Sequence, residues 1–184
     1  MTNTVAAELR PETGKGVARK LRAAGKIPGN IYGAGATSTP ITLDPTPLLD
    51  IFRKSKNRNT LITLDFNGQQ VTTLIKEAQR HPVSRAVLHV DFYKVDGVDE
   101  VSVAVPVRAQ GKAAGAAIGG RIEIAQRTLK VRCAPNAIPE FLDVDVTALD
   151  VGDMVRVSKV VAPEGVAIQY NQDFPVVLCT GKKK

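Results

Sequence analysis

Asn67 and Gly68 stand between two short β-prone stretches, Leu61 to Phe66 and Gln70 to Ile75. A two-residue hairpin turn needs positive φ at its centre, which Asn and Gly tolerate, so this dipeptide predicts a hairpin and an antiparallel kernel. The surrounding residues extend the pattern. Val5 to Arg10 reads as a first strand, ended by Pro11 and the breaks at Gly14 and Gly16. Lys15 to Ala24 reads as a helix stopped by Gly25, with Pro28 beyond. Asn30 to Gly33 and Thr39 to Leu43 are short strands on either side of the small-residue loop Gly33 to Ser38. A second short helix spans Pro47 to Lys54, with Asp44 or Thr46 near its cap, and Val87 to Val95 forms a further strand. Five or so short strands with two helices predict a small, mostly antiparallel β-barrel.

Asp96-Gly97-Val98-Asp99-Glu100 marks a change of composition, and beyond it the pattern is almost purely β. Val101 to Arg108 carries apolar residues at every second position, and further strands are read at Arg121 to Ile124, Thr128 to Cys133, Leu142 to Val146, Met154 to Val160 and Val176 to Cys179. The expected fold class is therefore mostly β with a few short helices, divided into domains at 1–95 and 96–184. Aromatic residues make up 4% and Trp is absent, so both cores must be built from Val, Ile, Leu and Ala. Gly111 to Gly120 is almost all Gly and Ala; with so little bulk it is expected to be a mobile loop.

Charge separates the halves more sharply than composition does. Residues 1–95 hold 14 Lys and Arg against 7 Asp and Glu, residues 96–184 hold 11 against 11, and the whole net charge of +7 sits in the first part. Clustered cations gain free energy by displacing counterions from phosphates, so the first half is expected to meet a polyanion. On a helix, Lys15, Arg19, Arg22 and Lys26 fall within an arc of about 60° while Val17, Leu21 and Ala24 cluster opposite. No acid lies between Lys15 and Lys26, whereas a merely solvated helix usually interleaves acids with its bases.

Alternation along the strand at Val87 to Val95 places His89, Asp91 and Tyr93 on one face and Leu88, Val90 and Phe92 on the other. A His–Asp pair is half of a catalytic dyad, but no Ser or Cys motif supplies the nucleophile; of the remaining readings, a surface pair with no role or polar readers of bases and riboses, the second is favoured. Gln79, before Arg80-His81-Pro82, can offer both donor and acceptor where the Pro breaks the strand. Tyr32 is either a core ring or an RNA-contacting one. Gly14-Lys15-Gly16 lacks the spacing of a phosphate-binding loop, which argues against nucleotide hydrolysis. Cys133 and Cys179 have no C-x-x-C partner and no neighbouring His, so they read as small buried hydrophobes. Met1 to Arg10 lacks the apolar core of a signal peptide and no apolar run approaches a membrane span, so a soluble cytoplasmic protein is expected.

Two ordered blocks carry a family resemblance. Thr13-Gly-Lys-Gly-Val-Ala-Arg-Lys-Leu-Arg-Ala-Ala-Gly-Lys-Ile-Pro-Gly-Asn-Ile-Tyr-Gly33 resembles the opening signature of the bacterial large-subunit ribosomal protein twenty-five family, also called the general stress protein Ctc family. Leu74-Ile-Lys-Glu-Ala-Gln-Arg-His-Pro82, followed by Leu88-His-Val-Asp-Phe92, resembles its second signature. Residues beyond 96 resemble the second β domain of the family's long form, through Val101 to Arg108, Gly119-Gly120, Ile138-Pro-Glu140 and Val151-Gly-Asp153.

The resemblance implies a ribosome-associated, non-enzymatic component of the large subunit, with no cofactor, metal or small-molecule substrate. Its barrel would dock on the loop E region of 5S ribosomal RNA, where a non-Watson–Crick helix exposes atoms that regular A-form hides. Family RNA-binding positions match Arg10, Lys15, Arg19, Lys20, Arg22, Tyr32, Gln79, His89 and Asp91. The second domain, closing on the basic tail Lys182, Lys183 and Lys184, would meet neighbouring ribosomal RNA or protein. The alternative reading is a transfer-RNA-binding or other RNA-binding β-barrel acting outside the ribosome.

Overall fold

The computed structural model describes residues 4–33, 36–54, 59–66 and 68–181, without the side chains of Ala36 and Lys54. Asn67, the loop positions Ala34 and Gly35, and the lysines at 182–184 lie outside the described residues. The chain divides into two compact units, Met1–Val98 and Asp99–Lys184, and most of its elements are strands.

In the first unit the elements are β1 (Thr4–Leu9), α1 (Lys15–Ala23), β2 (Ile27–Gly33), β3 (Ala36–Leu43), α2 (Pro45–Lys54), β4 (Leu61–Phe66), β5 (Gln69–Arg80) and β6 (Val87–Lys94). Six strands close a barrel in the order β1, β3, β2, β6, β5, β4. The hairpin expected from Asn67-Gly68 is β4–β5: Phe66 pairs with Gln69 and Gly68 has φ 77°. Four seams are antiparallel, but β1 pairs β4 and β2 pairs β6 in parallel. Hairpin signals report only sequence neighbours, whereas a parallel seam joins strands far apart in the chain and leaves no local mark.

Alternation supplies the core. Val5, Ile41, Leu43, Ile62, Leu64, Val90 and Phe92 point inward with at most 2% of their surface exposed, and α2 adds Leu48 and Ile51. Each such side chain contributes about 1.5–3 kcal/mol on burial, against a net stability of only about 5–15 kcal/mol for a whole domain. The Thr73 hydroxyl, also interior, donates to the Ile62 carbonyl at 3.0 Å, so its burial leaves no unpaired donor.

Two register shifts interrupt β5–β6, one between Ile75 and Glu77 and one between Gln79 and Arg80. The second corrects the expected inner face of β6. Arg80 pairs with Val87, and the extra residue breaks the alternation. Val87 therefore enters the core beside Val90 and Phe92, and Leu88 is left only half-buried.

The second unit contains β7 (Val101–Gln110), β8 (Arg121–Ile124), β9 (Thr128–Cys133), β10 (Leu142–Asp145), β11 (Met154–Arg156), β12 (Val166–Ile168) and β13 (Pro175–Thr180). These form a four-stranded sheet in the order β10, β7, β9, β12 and a three-stranded sheet in the order β11, β13, β8. Valine dominates the core, and Cys133 and Cys179 are both free and buried within it.

The stretch Gly111 to Gly120, expected to lack the bulk to pack, is instead seated. Ala114–Ile118 makes a 3-10 turn; Ala114 and Gly115 donate to the carbonyls of Thr147 and Leu149 at 3.1 and 2.9 Å. A Cβ on Gly115 would stand 2.8 Å from the Val151 nitrogen and 2.9 Å from the Cys179 Sγ. Small residues here gain stability through close backbone approach rather than through their own area.

Candidate nucleic-acid interface

The β2–β6 seam is where backbones come closest. A Cβ on Gly29 would lie 2.7 Å from the Val90 carbonyl oxygen, and one on Gly33 would lie 2.7 Å from that of Lys94. Ile-Pro-Gly-Asn-Ile-Tyr-Gly can lie flat against β6 because glycine occupies both points of contact. In register, Asn30 stands beside Asp91 and Tyr32 beside Tyr93. Across β6, the shifts in β5 bring Glu77 beside Asp91 and Gln79 beside His89.

Ile31, Val90 and Phe92 take the interior, which leaves Asn30, Tyr32, His89, Asp91 and Tyr93 on the outer wall. The two tyrosine rings meet edge to face, 6.0 Å between centroids at 77°. Tyr32 is thus a half-buried ring of the outer wall rather than of the core. Burial raises the Tyr32 hydroxyl pKa, and the carboxylates of Asp91 and Glu77 raise it further, so the group stays a donor.

His89 Nδ1 stands 3.1 Å from Asp91 Oδ1, with the two side chains 20% and 23% exposed. That distance suits an ion pair, yet no N–H is aligned on the oxygen, and Asp91 Oδ1 is buried without a hydrogen bond. Arg10, whose backbone nitrogen donates to Pro40 at 3.0 Å, shows the complementary state: its Nε is buried and unpartnered. Among the described residues these are the two buried side-chain polar atoms left unsatisfied, and both belong to positions marked from sequence as RNA-binding.

Helix α1 carries the cations. It has no side-chain cap and no buried residue; Lys15, Arg19, Lys20 and Arg22 are all exposed. The opposite stripe packs less deeply than its pattern suggests, since Val17 and Leu21 are half-buried and Ala24 is exposed. Arg22 Nε donates to the Leu88 carbonyl at 3.0 Å, tying the helix to β6 one residue before His89. Lys26 departs from the free cationic stripe. It pairs with Glu8 at 2.8 Å, and its hydrogen bond to that carboxylate raises its pKa.

The structure thus brings Tyr32, Gln79, His89 and Asp91 onto adjoining strands and ties the helix of Lys15, Arg19, Lys20 and Arg22 to β6, while Arg10 follows β1. Sequence reasoning missed Asn30, although it lies two residues from Tyr32 on an alternating strand. It also missed Glu77, which reaches the site through a bulge that no sequence signal announced. Donors, acceptors and an aromatic ring on one wall, with four exposed cations on its helix, can match phosphates, ribose hydroxyls and base edges.

Fold and surface together define a two-domain β protein that carries its excess positive charge on a closed barrel. Comparison with known proteins narrows this class. Residues 5–92 match the model of the ribosomal L25p family and residues 100–183 that of the C-terminal domain of ribosomal protein TL5. The large ribosomal subunit protein bL25 of Anaeromyxobacter dehalogenans is 39% identical over 99% of this chain and 76% of its own. That of Geobacter sulfurreducens is 38% identical over 98% and 94%, and that of Anaplasma marginale 40% identical over 96% and 82%. The chain belongs to the ribosomal L25p family, in its long two-domain form.

Among the described residues no helix is long and apolar enough to cross a membrane, and no group of three or more His, Cys, Asp or Glu could hold a metal ion.

Proposed function

We propose that this chain is a structural, non-enzymatic component of the bacterial large ribosomal subunit, working in the cytoplasm, and that its barrel binds 5S ribosomal RNA at loop E. Family membership and the naming of its relatives as large-subunit proteins support the first part. The observation that carries the second is the outer wall of β2, β6 and β5, where Tyr32, Gln79, His89 and Asp91 converge beside an acid-free cationic helix.

Lys15, Arg19, Lys20 and Arg22 meet phosphates, which gives affinity without sequence preference. Asp91, Gln79 and His89 meet base edges and ribose hydroxyls, Tyr32 offers its ring or hydroxyl, and Arg10 brings an unspent donor. Acids at such a site argue for selection rather than bulk attraction. A carboxylate repels phosphate but accepts from the amino and imino groups of a distorted, accessible helix.

Titration of the full chain against 5S RNA and against an unrelated regular duplex tests the proposal. Preference for 5S RNA that survives rising salt supports it, and equal affinity for both refutes it. Residues 1–95 should fold alone and carry this binding; a large loss of affinity in that fragment would refute the division at residue 95.

A further inference from the structure

The second unit holds an open cavity of about 970 Å³ on its four-stranded sheet, between β9 and the segment that follows β12. We propose that this cavity is a site for an unpaired RNA nucleotide, with Tyr170 stacking on the base, Lys130 meeting the phosphate and the Gln169 amide donating to the base edge. The proposal stands apart from the reading of the barrel, since it concerns different residues in the other unit.

Its volume falls near the upper end of the about 300–1,000 Å³ typical of small-ligand sites, so a nucleotide fits with water around it. The wall holds one cation, Lys130, an exposed aromatic, Tyr170, and the side-chain amides of Gln169 and Asn171, with Ile168 and Phe174 as apolar lining. Among the described residues no carboxylate lines it. Asp173, the acid nearest in sequence, is turned elsewhere: it accepts from the Ser158 nitrogen at 3.1 Å and lies 3.8 Å from Arg156 Nη1.

Lys130 is set apart from the other long cations of the same sheet face. Arg108 is held by Asp143 and Arg132 by Glu100, whereas Lys130 sits opposite the short side chain of Ala104 and has no ion pair among the described residues. Gln169 is pre-oriented. Its backbone nitrogen donates to the Lys130 carbonyl at 2.8 Å, and its Oε1 accepts from the Ser102 hydroxyl at 2.9 Å, which leaves the amide N–H groups to donate outward. An exposed ring, a cation and one held amide are the features that take a splayed-out base with its phosphate.

The test uses the full chain and a short oligouridylate carrying thiouridine, cross-linked by light and mapped by peptide sequencing. We expect a cross-link within the segment holding Tyr170. Tyr170→Ala should weaken attachment at that segment by about five-fold or more, the loss typical of removing one stacking ring, while Tyr170→Phe should retain it. Arg19→Ala, a barrel variant, should leave the Tyr170 cross-link in place, so the two units are judged separately. Cross-links confined to residues 1–98, or an unchanged yield in Tyr170→Ala, would overturn the proposal.

Discussion

Replacing Asp91 with Ala should move stability and specific binding in opposite directions. Asp91 Oδ1 is buried and accepts no hydrogen bond from the described residues. A buried acceptor in that state costs about 1–3 kcal/mol, and a partly exposed pair such as that with His89 returns at most about 1 kcal/mol. Removing the carboxylate should therefore leave the free protein unchanged or more stable by up to about 2 kcal/mol, a rise in Tm of up to roughly 10 °C for a unit of this size. Against 5S RNA, loss of a polar contact to a base or ribose should cost about 1–3 kcal/mol, or about 5- to 150-fold in Kd. Coulomb's law alone predicts the reverse: deleting one negative charge about 8 Å from a phosphate in water favours binding by about 0.5 kcal/mol, for any RNA. Contact loss exceeds that gain, so 5S affinity should fall while affinity for an unrelated duplex barely changes. Calorimetric melting of the free variant and a salt series of titrations against both RNAs measure each part. If Asp91→Ala tightens both complexes alike, the wall is a solvated surface; if it lowers Tm, the unsatisfied oxygen is not a cost.

Lys15→Ala and Arg19→Ala should each weaken RNA binding without altering Tm, and should lower the salt-dependence slope by less than about one unit. Arg22→Ala should do the same and also loosen α1, because it removes the bond to the Leu88 carbonyl; hydrogen exchange across Lys15–Ala23 should then quicken, and unchanged exchange would show that the bond holds nothing. Gly33→Ala should destabilise the barrel by about 1–3 kcal/mol through the clash with Lys94 backbone, read as a lower denaturation midpoint; a neutral result would mean that the seam yields freely. Gly115→Ala should cost a similar amount in the second unit, because its neighbours are the Val151 backbone and the Cys179 sulfur, whereas a genuinely mobile loop would absorb the methyl group at no cost.

Local chemistry was legible and long-range pairing was not. Asn67-Gly68 located the β4–β5 hairpin, and the acid-free run from Lys15 to Lys26 located the cationic helix. Strict alternation put His89, Asp91 and Tyr93 on the outer wall. The same rule failed at Leu88, because a bulge against Arg80 exchanged it with Val87, and bulges depend on a partner strand that a single stretch does not reveal. Lys26 looked free until the fold brought Glu8 beside it. The contacts of the glycines from 111 to 120 were not legible, because scarcity of side-chain bulk looks the same whether a segment floats or is pressed against another backbone. Gly29 and Gly33, by contrast, flank the wall of the site because only glycine admits β6 at that distance.

The parallel seam between β2 and β6 also bears on timing. β2 belongs to the first third of the barrel's chain and β6 to its end, so Asn30 and Tyr32 acquire their neighbours Asp91 and Tyr93 only when the final strand is laid down. Before that moment β2 and β5 are open edges, non-local contacts that are slow to form, and the proposed wall does not exist in part. On the proposed reading, selective recognition of RNA and completion of the barrel are a single event. An unfinished chain could cling to RNA through its lysines and arginines but could not choose among RNAs, and a binding assay that scores selectivity would double as a measure of how much of the protein is folded.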